Sequence, residues 1–483
     1  MKQILVLLLI LPFAVSAQKV AKPDAYAKTI TAADLKRHLY IIAGPEMEGR
    51  EATTEGERKA AAYIENEFRR IGLEPGNNGS FRQYFPVYRD SLIASTLEVN
   101  GQRFEMNTDF NPNLNNPPAL YAFSEVLYVP EKASIEQVRA TDVAGRLVLV
   151  HGTSQQRNEV LRTKGAAAVL TITSAYPRQT PASGMANMTM QYFKKTIAPQ
   201  YYTVSDAVAK SILSNSSYTP DSLNPVIITA NVQLDLQKLT KQLQSSNVLG
   251  ILPGTDKKDE YLVITAHYDH EGKRGDSIIY YGADDDGSGT VSVIELAEAF
   301  ANAKKAGNGP RRSIVFMAVS AEEKGLWGSA YYAANPVFPL GKTTANLNID
   351  MIGRIDPKRT YGDSMNYVYV VGDDKISSDL RPISVAANKK VKLELDYKFN
   401  EPNDPMRIYY RSDHYNFAKM GVPIIFYFNG THADYHRPTD TPDKINYPLL
   451  EKRARLVFFT AWEMANRNEM LKRDTPLPVL ARP

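Results

Sequence analysis

The chain of 483 residues contains no cysteine. That excludes disulfides, thiolate metal sites and cysteine-linked lipid, so any bound metal must be held by histidine, aspartate or glutamate. Strong charge is missing too: the formal net charge is +4, and no lysine or arginine block breaks the sequence. This offers no footprint for nucleic acid or an anionic membrane surface. There is no internal repeat and no low-complexity tract. A membrane-spanning helix needs about 20 apolar residues, and the run from Ile4 to Val15 is shorter and broken by Pro12.

That run follows Lys2 and ends in the small residues Val15-Ser16-Ala17, the pattern of an export signal cut before Gln18. The expected mature protein is therefore exported, periplasmic or secreted, with no transmembrane anchor after cleavage. The length allows two or three domains with substantial cores.

Thr31 as N-cap, Asp34 three residues on, and Leu35, Leu39 and Ile42 on one face predict a helix over 31–42. Thr54 with Glu57 repeats the signal for a second helix, which carries Ile64, Phe68 and Ile71 and stops at Gly72. Proline and asparagine then cluster from Asn107 to Pro118, the mark of a boundary or an excursion. After Ser246, Tyr261–Ala266, Ser313–Val319, Leu347–Ile352 and Val422–Phe428 are continuous apolar runs of strand length. Such runs belong to strands covered by helices on both faces. The stretches Gly289–Lys304 and Leu449–Asn466 supply the covering helices. The expected fold is α/β, a mixed, mostly parallel sheet in a three-layer sandwich, interrupted by a smaller inserted α/β domain.

Five residues at or near the ends of those runs are possible metal ligands: His267, Asp285, Glu323, Asp350 and His436. Two imidazoles and three carboxylates suffice for two closely spaced divalent ions if one carboxylate bridges them, which points to hydrolysis by metal-activated water. Each residue alone has a plainer reading. His267-Tyr268-Asp269 also fits a surface hydrogen-bonding pair, although Asp269 can accept from the imidazole nitrogen that faces away from a metal. Asp284-Asp285-Asp286 among glycines also fits an exposed acidic turn. Asp284, Asp286, Ser288, Gly289 and Glu295 even match calcium-loop spacing, but Ser277 to Tyr281 is β-branched and aromatic where that motif needs a helix. Glu322-Glu323 is a pair that solvated loops often carry, yet at a strand end one carboxylate can bind metal while its neighbour reaches water. Asp350 also suits a buried ion pair. His432 and His436 flank Tyr435, and one of the two histidines can be purely structural.

In combination these segments resemble the M28 family of zinc exopeptidases, from Glu48-Gly49-Arg50 and Gly72-Leu73-Glu74-Pro75 through the ordered motifs between Val248 and Thr441. Gly145 to Val150 and Lys164 to Leu170 similarly resemble the protease-associated domain that interrupts some exopeptidases. The implied organisation is a signal over 1–17, a peptidase domain over 18–110 and 240–470, an insert over 111–239, and a tail over 471–483. The resemblance implies two zinc ions, one held by His267 and Asp350 and the other by Glu323 and His436, with Asp285 bridging. It assigns Glu322 as general base, Asp269 as the orienting partner of His267, and Tyr435 as a phenol that polarises the scissile carbonyl. Arg411-Ser412-Asp413-His414 lines the pocket in this reading, and His414 and His432 are supporting. The implied activity is removal of N-terminal residues from peptide substrates. Dipeptidases of carboxypeptidase type share the metal set, and glutaminyl cyclases use a related scaffold with one zinc. A non-catalytic calcium-binding or surface-binding module is the reading from another class, and retention of Glu322 beside all five ligands argues against it.

Overall fold

The structure is a computed structural model that describes residues 23–152, 154–174, 176, 188–191, 197–214 and 223–477. The expected export signal over 1–17 lies outside the described residues. The chain divides into two compact units, Met1–Gln83 with Ser246–Pro483, and Tyr84–Ser245.

In the first unit the helix Ala32–Ile42 starts where the hydroxyl of Thr31 accepts the N–H of Asp34. Thr54 caps Glu55–Ile71 in the same way, and that helix ends at Gly72 with φ 92°. These helices, with Gly289–Lys305 and Tyr447–Asn466, cover one face of a mixed sheet. The sheet runs in the order Glu394–Asp396, Tyr367–Val371, Ile424–Phe428, Thr343–Ile349, Lys257–His267, Arg312–Val319, and then the end of Val226–Leu252. The three central pairings are parallel: Ile424–Phe428 with Thr343–Ile349, that strand with Lys257–His267, and Lys257–His267 with Arg312–Val319. Alternation along each strand splits the core. Leu262, Ile264, Ile314, Phe316 and Leu347 join the cluster under those helices, while Val263, Val315, Met317 and Phe426 join a second one with Tyr332 and Phe417 on the opposite face. Burying each such side chain contributes roughly 1.5–3 kcal/mol, which is why the apolar runs are uninterrupted.

The insert leaves after Gln83 and returns at Ser246, and its two ends are neighbours within the first unit. Arg82 donates to Ser246 Oγ at 3.3 Å, Asn247 Nδ2 donates to Gln83 Oε1 at 3.0 Å, and Leu249 N–H donates to Phe81 O at 2.7 Å.

The hydrogen-bonded ladder continues through Val226–Leu252 into the strands of the second unit. Leu147–His151, Ala168–Ile172 and Gln200–Val204 pair in parallel, Ala119–Val129 joins on one side, and Phe110–Pro112 closes the other antiparallel to Gln200–Val204. The first boundary thus falls at Gln83/Tyr84 and not near residue 111. The proline- and asparagine-rich stretch is internal to the insert, where Phe110 is buried and Asn116 holds Tyr201 through its side chain. The tail expected from 471 is partly packed: Leu471 is buried and its N–H donates to Thr344.

Candidate metal centre

The centre forms at the carboxyl ends of adjacent strands. His267 closes Lys257–His267 opposite Val319, the last residue of Arg312–Val319, and Glu322 and Glu323 follow in the turn after Val319. Asp350 lies one residue past Thr343–Ile349. The sequence predicts a strand through Ile352, but pairing stops at Ile349. Met351 takes φ 60°, and the N–H groups of Met351, Ile352 and Gly353 donate to the side chains of Asp286, Ser288 and Asp284 in place of a neighbouring strand.

The acidic triplet divides its labour. The Asp286 carboxylate is buried and accepts N–H groups of His267 at 3.2 Å, Gly289 at 2.9 Å and Met351 at 3.0 Å. Burial, then the charge of Asp350, pushes its carboxyl well above the usual range. A side chain at position 289 would collide with that carboxylate and with Ile349 O. Asp284 accepts from Gly353 N–H at 2.7 Å and faces His432 Nε2 at 3.1 Å. Asp440 Oδ2 accepts the N–H groups of Asp284 and Asp285. Only Asp285 turns its carboxylate to the cleft.

There its two oxygens face different histidines. Oδ1 is 3.2 Å from His267 Nε2, which is also 3.6 Å from Asp350 Oδ1. Oδ2 is 3.1 Å from His436 Nε2, which is 3.2 Å from Glu323 Oε2. Two donors on one tetrahedral zinc lie about 3.3–3.6 Å apart, given metal–ligand distances of about 2.0–2.2 Å. His267 Nε2, Asp285 Oδ2 and Glu323 Oε1 are buried without a hydrogen-bond partner, a costly state unless cations accept their lone pairs. The donor set therefore fits divalent metal, and all five residues singled out in the sequence are brought together.

Surrounding groups hold these five. Ser412 Oγ donates to Asp350 Oδ2 at 2.6 Å and accepts from Asn348, which in turn accepts from Thr265. The nearer partner of His267 Nδ1 is the carbonyl oxygen of Asp269 at 3.1 Å, with the Asp269 carboxylate at 3.7 Å. That carboxylate instead accepts the N–H groups of Glu322 and Glu323, at 3.1 and 3.3 Å. Arg50, fully buried, donates to four carbonyls, those of Ile42, Tyr268, Tyr281 and Gly282, and so ties together the segments that carry the histidine and the aspartate. Gly49, at φ 71°, has no room for a side chain beneath the carbonyls of Gly272 and Tyr280.

Glu322 Oε2 lies 4.0 Å from His267 Nε2. Burial drives its carboxyl well above the ordinary range; the charge of His267 opposes this, and Glu323 and Asp350 reinforce it. Tyr435 stacks on His436 with ring centroids 4.0 Å apart, and Arg411 donates to its hydroxyl at 3.4 Å. The cleft between them is walled by Met351, Ile408, Phe426 and Phe428, with Arg411 and Thr431 in its polar lining. His414 is buried away from the donors against Tyr409 O, and His432 stays on Asp284.

Two further residues, not singled out by any sequence motif, reach the centre. Glu271 faces His436 Nδ1 at 3.2 Å, and His270 Nδ1 lies 2.9 Å from Glu323 Oε1. Both follow directly on His267-Tyr268-Asp269, so the signal was local. Past the strand end, however, alternation no longer tells which way a side chain points.

Among known proteins, a probable leucine aminopeptidase of Arthroderma otae is 27% identical over 238 residues, covering 48% of this chain and 61% of its own length. Aminopeptidase YwaD of Bacillus subtilis is 27% identical over 248 residues, covering 50% of this chain and 49% of its own. The chain thus spans about half to three fifths of these two curated relatives. The fold is similar to that of the aminopeptidase from Aneurinibacillus sp. strain AM-1, with TM-score 0.56 at 19% identity over 95% of this chain and 100% of the other. It is similar also to BSAP, a zinc aminopeptidase from Bacillus subtilis, with TM-score 0.54 at 20% identity over 92% and 99%. Residues 247–461, which carry every candidate ligand, match the model of peptidase family M28.

Proposed function

We propose that the protein is an exported zinc aminopeptidase that uses two zinc ions, one on His267 and Asp350, the other on Glu323 and His436, with Asp285 shared. The observation that carries this reading is the Asp285 carboxylate, whose two oxygens face separate histidines at 3.2 and 3.1 Å. Zinc bound there supplies Lewis acidity toward the scissile carbonyl and lowers the pKa of an attacking water. Glu322, with its raised affinity for protons, takes the water's proton and delivers it to the leaving amine. Tyr435 donates to the oxygen that gains charge during attack. Asp269 sets the turn that keeps Glu322 and Glu323 apart in direction. The apolar walls of the cleft suit an apolar side chain on the residue to be released.

Export rests on the pattern of Lys2 through Ala17. The protease-associated character of the insert is supported by its parallel strands Leu147–His151, Ala168–Ile172 and Gln200–Val204. A panel of aminoacyl fluorophores, dipeptides and N-blocked peptides, assayed with chelator-stripped and zinc-loaded protein, tests the activity. Release of free N-terminal residues only when zinc is present is expected; trimming of N-blocked peptides from the carboxyl end would overturn the aminopeptidase assignment.

A further inference from the structure

We propose that His270 is a direct ligand of the ion on the Glu323 side, so that this ion has four protein donors and its neighbour three. The inference rests on the two-ion reading above.

His270 is fully buried, and neither ring nitrogen has a hydrogen-bond partner. That is not how a structural histidine is housed in this protein. His414 Nε2 meets Tyr409 O at 2.8 Å, and His38 Nδ1 meets the Tyr63 hydroxyl at 2.6 Å. His270 Nδ1 is instead 2.9 Å from Glu323 Oε1 and 3.9 Å from Asp285 Oδ2, close to the first oxygen yet not aligned to donate to it. His270, Asp285 and Glu323 offer ligand atoms that all lie within 4.8 Å of one another, close enough to share one ion. His436 reaches the same two carboxylates from another side at 3.1 and 3.2 Å, and the two imidazoles meet edge to face with centroids 5.9 Å apart. The four donor separations bracket the 3.3–3.6 Å or so expected around one tetrahedral zinc.

The backbone confines His270 to this position. Gly282, at φ 55°, leaves room for the ring, and a side chain there would lie 2.5 Å from the imidazole Cγ. The arrangement is unequal by design. Four protein donors close a zinc site, whereas three leave a position for water or substrate. The open position then falls on the His267 and Asp350 side, within reach of Glu322.

Zinc-loaded wild-type protein gives a test that needs no variant. Metal analysis counts the ions and X-ray absorption counts imidazoles per zinc. Three imidazoles shared by two ions are expected. Two imidazoles shared by two ions would overturn the role of His270 while leaving the two-ion reading intact, and a single bound ion would overturn both. In His270→Asn, competition with a chelator should show the tighter ion weakened by more than about 100-fold, because residues that merely support a ligand cost about 10–100-fold. The visible spectrum of the variant carrying one equivalent of cobalt should change with the loss of a nitrogen donor. An unchanged spectrum or unchanged affinity would overturn the proposal.

Discussion

Glu322 and Glu323 are neighbours in the chain whose backbone N–H groups are both pinned to Asp269, yet Glu323 faces His270 and His436 while Glu322 Oε2 lies 4.0 Å from His267 Nε2. Glu322→Gln removes only the proton acceptor, so the variant should retain its metal and lose about 10²- to 10⁴-fold in turnover, as measured by steady-state kinetics alongside metal analysis. Tyr435 differs in that its ring is held by stacking on His436. Tyr435→Phe keeps that packing and deletes one donor, which should lower kcat by about 100-fold and leave KM nearly unchanged. A kcat equal to wild type would remove the phenol from the reaction. The sequence disclosed these residues because each sits in an ordered motif. It did not disclose His270 or Glu271, whose direction depends on how the chain turns after His267.

At the scale of elements, the helices and core strands were readable because caps and apolar runs are local signals: Thr31, Thr54 and Gly72 mark their helix ends as expected. The apolar run Leu347–Ile352 outlasts its strand because the side chains of Asp284, Asp286 and Ser288, distant in sequence, take the N–H groups that would have continued the ladder. The insert boundary is hidden from the sequence for a related reason, since prolines and asparagines signal irregular backbone without telling which unit owns it. Arg50 is where the elements meet. Arg50→Met keeps most of the volume but takes a donor from four carbonyls, of which that of Gly282 keeps the N–H of Gly287. At roughly 1–3 kcal/mol for each of the other three, urea unfolding should show a loss of at least about 3 kcal/mol, and zinc affinity should fall with it. Equal stability would mean that water replaces the guanidinium.

Among the described residues of the whole molecule, no helix is long and apolar enough to cross a membrane. Acid sensitivity has a traceable source in His414, which burial depresses from 6.5 to about 3 and which stays neutral against Tyr409 O. The unfolded chain protonates this ring below about pH 6.5 while the folded protein does not, so stability is complete above that pH and falls as the pH drops toward 3. The loss reaches up to about 4 to 5 kcal/mol from this group alone. His414→Gln should show a shallower decline between pH 6.5 and 4 in denaturant titrations than wild type, and parallel curves would contradict the assignment. The adjacency of residues 81–83 with 246–249 bears on ancestry and engineering alike. Because the chain returns almost to its point of departure, one recombination event at that point suffices to add the extra unit while the pairing of Gln83 with Asn247 is kept. The reverse operation is equally simple: a gene in which a short glycine–serine bridge replaces Tyr84–Ser245 should encode a soluble, zinc-binding protein, checked by its yield and metal content.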